Sequence, residues 1–263
     1  MTGSTTKGKL KKAAIGVAVT VFWLAVWQGL CLLVGQELLV PSPLSVLRVL
    51  WHSVLTAAFW KTVGISLLRI LIGFLGAVAG GCLLAVLTVH FPLLHTLLAP
   101  VLHIIKAAPV ASFIILALVW LPTGVLPAFI CGLMVLPVVW NNVQQGIREI
   151  DPKLLQMAKV FRMGRWRTLT KVRLPAVMPY FLTAVTTGLG FAWKSGIAAE
   201  VICQPKAAIG KRLYLAKIYL ETSEVFAWTA VVIVLSVVLE RLLSLCLRRL
   251  MGKYSVKRGG AGQ

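Results

Sequence analysis

Acidic side chains are scarce in this sequence: seven in 263 positions, one of them aspartate, against 27 lysines and arginines. All charged residues together make up 13% of the chain, about half the share of an ordinary soluble domain. That shortage excludes a soluble enzyme and a charged disordered chain. The five cysteines (Cys31, Cys82, Cys131, Cys203 and Cys246) lie in or beside apolar runs and form no C-x-x-C pair. This excludes a disulfide-stapled secreted domain and leaves the thiols as small buried hydrophobes. Among the four histidines, His95 and His103 are eight apart with no carboxylate nearby, so no metal site is expected. The patterns G-x-S-x-G, H-E-x-x-H and G-x-x-x-x-G-K-[ST] are missing. Gly210-Lys211 has Pro205 where a phosphate loop needs its first glycine. The chain is therefore expected to carry no catalytic residue and no cofactor, and any ATP must be hydrolysed by another subunit.

What the chain does have is hydrophobic length. Apolar residues make up 59% of it, and the mean hydropathy is +0.91. Crossing a hydrocarbon core takes about 20 apolar residues as helix, which predicts an all-α membrane protein. The runs Ala13–Val34, Thr62–Val89, Thr123–Trp140, Ala176–Cys203 and Val225–Leu247 each suffice. Between Phe91 and Leu121 the run is broken by Pro92, Pro100, Lys106 and Pro109. It is read as a short interfacial helix and a third span from about Ala107, giving six spans in all.

The basic residues fall mainly between these runs. If the spans alternate, nineteen lie on one side, six on the other, and Arg69 and Lys194 within spans. Excess Lys and Arg marks the cytoplasmic side, so both termini are expected in the cytoplasm, and nucleic-acid binding is excluded by this placement. The expected organisation is a basic tail over residues 1–12, a membrane domain over 13–249, and a second basic tail over 250–263.

Several local patterns add detail. Ser42-Pro43 opens a helix between the first two spans, whose Leu44, Leu47, Leu50, Trp51, Val54 and Leu55 form one apolar face suited to the outer interface. Gly76 and Gly80 make a G-x-x-x-G pair, Gly73, Ala77 and Gly81 repeat small residues every four, and Gly188, Ala192 and Gly196 do the same. Such spacing lets helix backbones approach in lipid. Asp151-Pro152 opens a helix after the fourth span, with Leu154, Leu155, Ala158 and Phe161 as an apolar stripe among basic residues. That helix suits a membrane surface or a partner's groove equally well. Arg69, Lys194 and Glu200 are the intramembrane ionisable residues, and such residues are functional candidates by default. An Arg69–Glu200 pair between helices and a substrate-facing Lys194 are the two readings. Lys194 and Glu200, six apart, do not face each other.

The run QMAKVFRMGRWRTLTKVRLP (Gln156–Pro175) resembles the signature of binding-protein-dependent ABC importer permeases. That pattern is Glu-Ala-Ala, three residues, Gly, nine residues, Ile, one residue, Leu-Pro. Ala158, Leu174 and Pro175 match, and Val172 stands at the isoleucine. Gln156, Met157 and Arg162 depart from glutamate, alanine and glycine. SLLRILIGF (Ser66–Phe74), KAAPVASFIILALVW (Lys106–Trp120), LPAVMPYFLTAV (Leu174–Val185) and FAWKSGIAAE (Phe191–Glu200) are similar to the family in the same order. They are most like the branch for nitrate, taurine and alkanesulfonates.

The resemblance implies a type I importer permease fold and a non-catalytic, multi-pass subunit of the bacterial inner membrane. It also implies a dimer of permeases, a cytoplasmic ABC ATPase dimer and an extracytoplasmic substrate-binding protein. A coupling helix within about residues 148–175 would meet the ATPase through Asp151, Leu154, Leu155, Gln156, Met157, Ala158, Phe161, Arg162 and Gly164. Arg69, Lys194 and Glu200 are the pathway candidates. The expected cargo is a small anion such as a sulfonate, taurine or nitrate. Alternatives are an uncharged vitamin or pyrimidine precursor, or an ATPase-independent secondary transporter. A membrane-embedded enzyme is disfavoured, because only Glu200 and Glu240 are acidic within spans and catalysis needs a positioned acid–base or nucleophile set.

Overall fold

The computed structural model describes residues 3–254. Residues 1–2 and 255–263 of the two expected basic tails, and the side chains of the rest of those tails, lie outside the described residues. The described elements are helical: α1 (Gly3–Val34), α2 (Pro43–Val54), α3 (Ala57–His90), α4 (Pro92–Ala107), α5 (Val110–Ala117), α6 (Leu126–Arg148), α7 (Pro152–Val160), α8 (Arg165–Thr168), a π turn (Leu169–Arg173), α9 (Leu174–Cys203), α10 (Ile209–Ile218) and α11 (Thr222–Tyr254).

Five stretches are long and apolar enough to cross a membrane: Ala14–Val34, Ala57–His90, Leu126–Arg148, Arg165–Cys203 and Thr222–Leu247. A sixth is available if α4 and α5, bent by 106°, count as one broken span. Here the structure corrects the sequence reading. The long piece comes first: α4 has 16 residues and α5 only 8, about 24 Å and 12 Å at the α-helical rise. Pro109 is the cause, since its ring pushes the preceding residue out of the helical region, and Ala108 is extended at φ −79°, ψ 144°. Pro100, given equal weight as a breaker, sits inside α4. The fifth span also starts earlier than Ala176, because α8, the π turn and α9 run on as one 39-residue helical stretch.

The chain divides into two compact units. The first comprises the chain up to Lys61 together with Arg212–Val231. The Ser42 hydroxyl caps α2 by accepting from the Ser45 N–H at 3.1 Å. Leu44, Leu47, Trp51 and Leu55 are left exposed on the expected apolar face. Trp27 stacks on Phe226 with centroids 5.7 Å apart, and its Nε1–H donates to the Pro41 carbonyl. Phe59 stacks on Trp228 at 5.0 Å.

The second unit comprises Thr62–Lys211 and the chain from Val232 onward. Its centre is α6 against α9, where Ile130, Cys131, Val135 and Val139 meet Ala184, Ala192 and Ala199, all fully buried. Glycine sets the spacing. A Cβ on Gly73 would run into the Ala128 carbonyl, one on Gly81 would lie 2.8 Å from Val139, and one on Gly196 2.6 Å from the Cys131 sulfur. The close contact row is therefore Gly73–Ala77–Gly81; of the G-x-x-x-G pair, Gly80 meets only Leu136 at 3.9 Å and Gly76 meets nothing within 4 Å among the described residues. Lipid provides no hydrophobic drive between spans, so this close van der Waals fit supplies the cohesion.

Candidate functional site

Within the second unit the only ion pair among the described residues is buried. Arg69 on α3 donates through Nη1 to Glu200 Oε1 on α9 at 3.0 Å, and Glu200 has no exposed side-chain surface. The other carboxylate oxygen accepts from the Ser66 hydroxyl at 2.8 Å and the Gly210 N–H at 3.2 Å. Ser66 Oγ in turn accepts from the Ile209 N–H at 2.9 Å, and Arg69 Nη2 donates to the Lys206 carbonyl at 3.0 Å. One carboxylate thus ties α3, α9 and the connection into α10 together. Gly210 makes this possible, because a Cβ there would strike the backbone of Val201 and Glu200.

Lys194 has the opposite environment. It lies on the far side of α9 from Glu200 and is exposed. Thr183, Thr186 and Thr187 are exposed along the same helix, giving a polar stripe in a segment long and apolar enough to cross a membrane. Thr183 and Thr186 donate their hydroxyl protons to the carbonyls of Pro179 and Leu182, so their oxygen lone pairs are what they offer outward. Of the three intramembrane candidates, the structure brings Arg69 and Glu200 together and leaves Lys194 apart.

The loop after α6 is built by its caps. Asp151 Oδ1 accepts from the Lys153 N–H at 2.8 Å, and Pro152 occupies the first turn of α7. The helix ends when Arg162 adopts a left-handed conformation, φ 50°. There the Met163 N–H reaches back to the Ala158 carbonyl at 2.9 Å and the Arg162 N–H to the Lys159 carbonyl. This is a Schellman ending, in which glycine is the favoured residue at the left-handed position. The glycine of the signature is thereby explained, and Arg162 occupies its place with a steric penalty. Arg162→Gly is expected to stabilise the protein by about 1 kcal/mol. A small upward shift in melting temperature checks it.

The apolar stripe of α7 divides. Ala158 is 2% exposed, on the side where α7 packs on the π turn and Val172 is also buried. Leu155 is half-buried. Leu154, Met157, Val160 and Phe161 are exposed, Phe161 at 73%, and Trp166 joins them from α8. Asp151, Gln156, Arg162 and Gly164 are exposed as well. The expectation that Ala158 shares an outward face with Leu154 and Phe161 is corrected: the short loop folds back on its own chain and uses the smallest residue for that contact.

Some structurally central residues were not singled out from the sequence. Ser66 had a signal, since it stands three before Arg69 on an apolar helix and so shares its face. Thr88 had none; its hydroxyl accepts from Trp140 Nε1 and Gln144 Nε2 at 2.8 and 2.9 Å, buried between α3 and α6. Glu149, just after α6, accepts from the Tyr180 hydroxyl on α9 and from the Gln145 amide. These bonds, Tyr180 first, hold its carboxyl below the usual glutamate range. They fasten the start of the loop to α9.

A family model for the inner membrane component of binding-protein-dependent transport systems matches residues 73–252, which takes in the loop, its signature residues and the Glu200 and Lys194 positions. The chain belongs to this family. Over 92% of its length it is 28% identical to a riboflavin transport system permease protein of Chloroflexus aurantiacus, covering 90% of that protein. It is 27% identical over 74% of its length to a nitrate import permease protein of Synechocystis, covering 72%. It is 25% identical over 92% to the taurine transport system permease protein of Escherichia coli, covering 88%. A solved amino acid ABC transporter with histidines shares the fold, with a TM-score of 0.56 at 18% identity over 72% of this chain and 90% of that one. The protein is thus the multi-pass inner-membrane permease subunit of an ABC importer. Subunits of this family transport and do not catalyse, and membership implies an ATPase and a substrate-binding protein as partners.

Proposed function

We propose that the permease carries a small anion, such as a sulfonate, taurine or nitrate, and that two copies of the chain enclose the pathway. The observation that carries this reading is Lys194, an exposed cation on a threonine-bearing face of α9. A lone ammonium in a span is costly and is kept where it faces a polar pathway or partner. Relatives named for nitrate, taurine and aliphatic sulfonates support the anion. Residues 13–249 act as the transport domain between basic tails, both tails lie in the cytoplasm by the bias of nineteen basic residues to six, and hydrolysis falls to a separate ATPase pair. Each ATPase grips the coupling loop through Leu154, Met157 and Phe161, with Asp151, Gln156, Arg162 and Gly164 at the margin, while Leu155 and Ala158 hold the helix to the permease. Arg69 and Glu200 brace the spans.

The test is ATP-driven uptake by the complex reconstituted with its ATPase and binding protein, using an anion first found to raise the binding protein's melting temperature. Native mass should show two copies of this chain. Lys194→Ala is expected to lower uptake roughly tenfold, the loss of about 1.4 kcal/mol, with the melting temperature unchanged, because an exposed side chain is removed. The riboflavin-named relative favours a second reading, an uncharged vitamin as cargo. Riboflavin uptake indifferent to Lys194→Ala would replace the anion reading with that one.

A further inference from the structure

The second unit contains a cavity of about 350 Å³ that the transport reading does not use. It lies where the last turns of α3 and α6 meet the π turn. Val86 and His90 line it from α3, Val143 and Ile147 from α6, and Leu169 and Arg173 from the π turn. Apart from His90 and Arg173, every lining side chain is apolar or a thiol. The volume is within the range of small-molecule sites, about 300–1,000 Å³. It sits toward the ends of two helices long and apolar enough to cross a membrane, α3 and α6.

We propose that this cavity binds an acyl chain of an anionic phospholipid whose phosphate is held by Arg173. Charge argues for the anion. Eight basic residues lie between Arg148 and Arg173, with only Glu149 and Asp151 to balance them. Both carboxylates are engaged elsewhere, Glu149 by Tyr180 and Gln145, Asp151 by the Lys153 N–H. Arg173 has no carboxylate partner among the described residues. His90 donates from its Nδ1–H to the Val86 carbonyl at 2.8 Å, which leaves Nε2 of the neutral ring an acceptor, so Arg173 is the lining group that suits an anion. Basic pockets between spans are a recognised mode of anionic headgroup binding, and the guanidinium fork matches a phosphate. The site stands on the membrane placement of these helices and does not depend on the identity of the cargo. Because Leu169 and Arg173 belong to the turn on which α7 packs, an occupied cavity would stiffen the coupling loop.

The test is native mass spectrometry of the full-length protein in detergent, with phosphatidylglycerol and phosphatidylcholine of identical acyl chains as probes. Wild type should retain phosphatidylglycerol roughly fivefold better, and Arg173→Gln should bring the ratio to about one. Arg165→Gln removes a charge from the same loop that does not line the cavity, and it should leave the ratio intact. Val86→Phe fills the cavity without changing charge and should reduce phosphatidylglycerol retention. A wild-type ratio near one, equal losses with Arg165→Gln and Arg173→Gln, or full retention by Val86→Phe would each overturn the proposal.

Discussion

Glu200→Ala is expected to cost about 3–5 kcal/mol of stability, because removing one partner of a buried ion pair leaves the other charge uncompensated. Arg69 would keep only the Lys206 carbonyl, and the Ser66 hydroxyl and Gly210 N–H would lose their acceptor. In detergent the variant should melt far below wild type and yield little monodisperse protein. Glu200→Gln keeps an acceptor oxygen and should fall between the two. The pair itself is a different matter from its members. Replacing both, as Arg69→Leu with Glu200→Leu, should recover part of the loss, since a buried pair is often no more stabilising than apolar residues of similar volume. The double variant would still leave the Ile209–Gly210 connection poorly held. If Glu200→Ala melts with wild type, the network is not a brace, and the carboxylate must be sought in the pathway instead.

That network also shows how far the sequence reaches. The Arg69–Glu200 pairing was one of the readings the sequence allowed, because opposite charges inside spans usually pair. The separation of Lys194 from Glu200 followed from helical angle alone. What the sequence did not carry was the connection: Ser66, Gly210 and the Lys206 carbonyl join through backbone atoms whose positions depend on how the chain returns after α9. The third span fails for a related reason. Pro100 and Pro109 look alike in a hydropathy reading, yet only Pro109 meets a residue free to turn extended. The departure at Arg162 was visible as a mismatch to the family pattern. Its meaning, a left-handed residue closing a helix, needed the dihedral angle.

Phe161→Asp is expected to abolish ATPase docking while leaving the permease folded, lowering affinity for the ATPase roughly a hundredfold or more. Phe161 is 73% exposed, beside Leu154 and Met157, so an aspartate there is solvated in the isolated permease and should change its stability little. In the proposed complex the same carboxylate would be desolvated in the ATPase groove without a partner, at a cost of several kcal/mol. At about 1.4 kcal/mol per factor of ten, that cost amounts to two decades of affinity or more. Ala158→Asp is the instructive contrast. Its position is buried against the permease's own π turn, so the charge would disrupt the loop before any partner is met, and melting temperature and docking should fall together. Copurification of the ATPase, substrate-driven uptake and the permease's melting curve separate the two variants. Full ATPase retention by Phe161→Asp would remove α7 from the interface and leave its exposed face to rest on lipid.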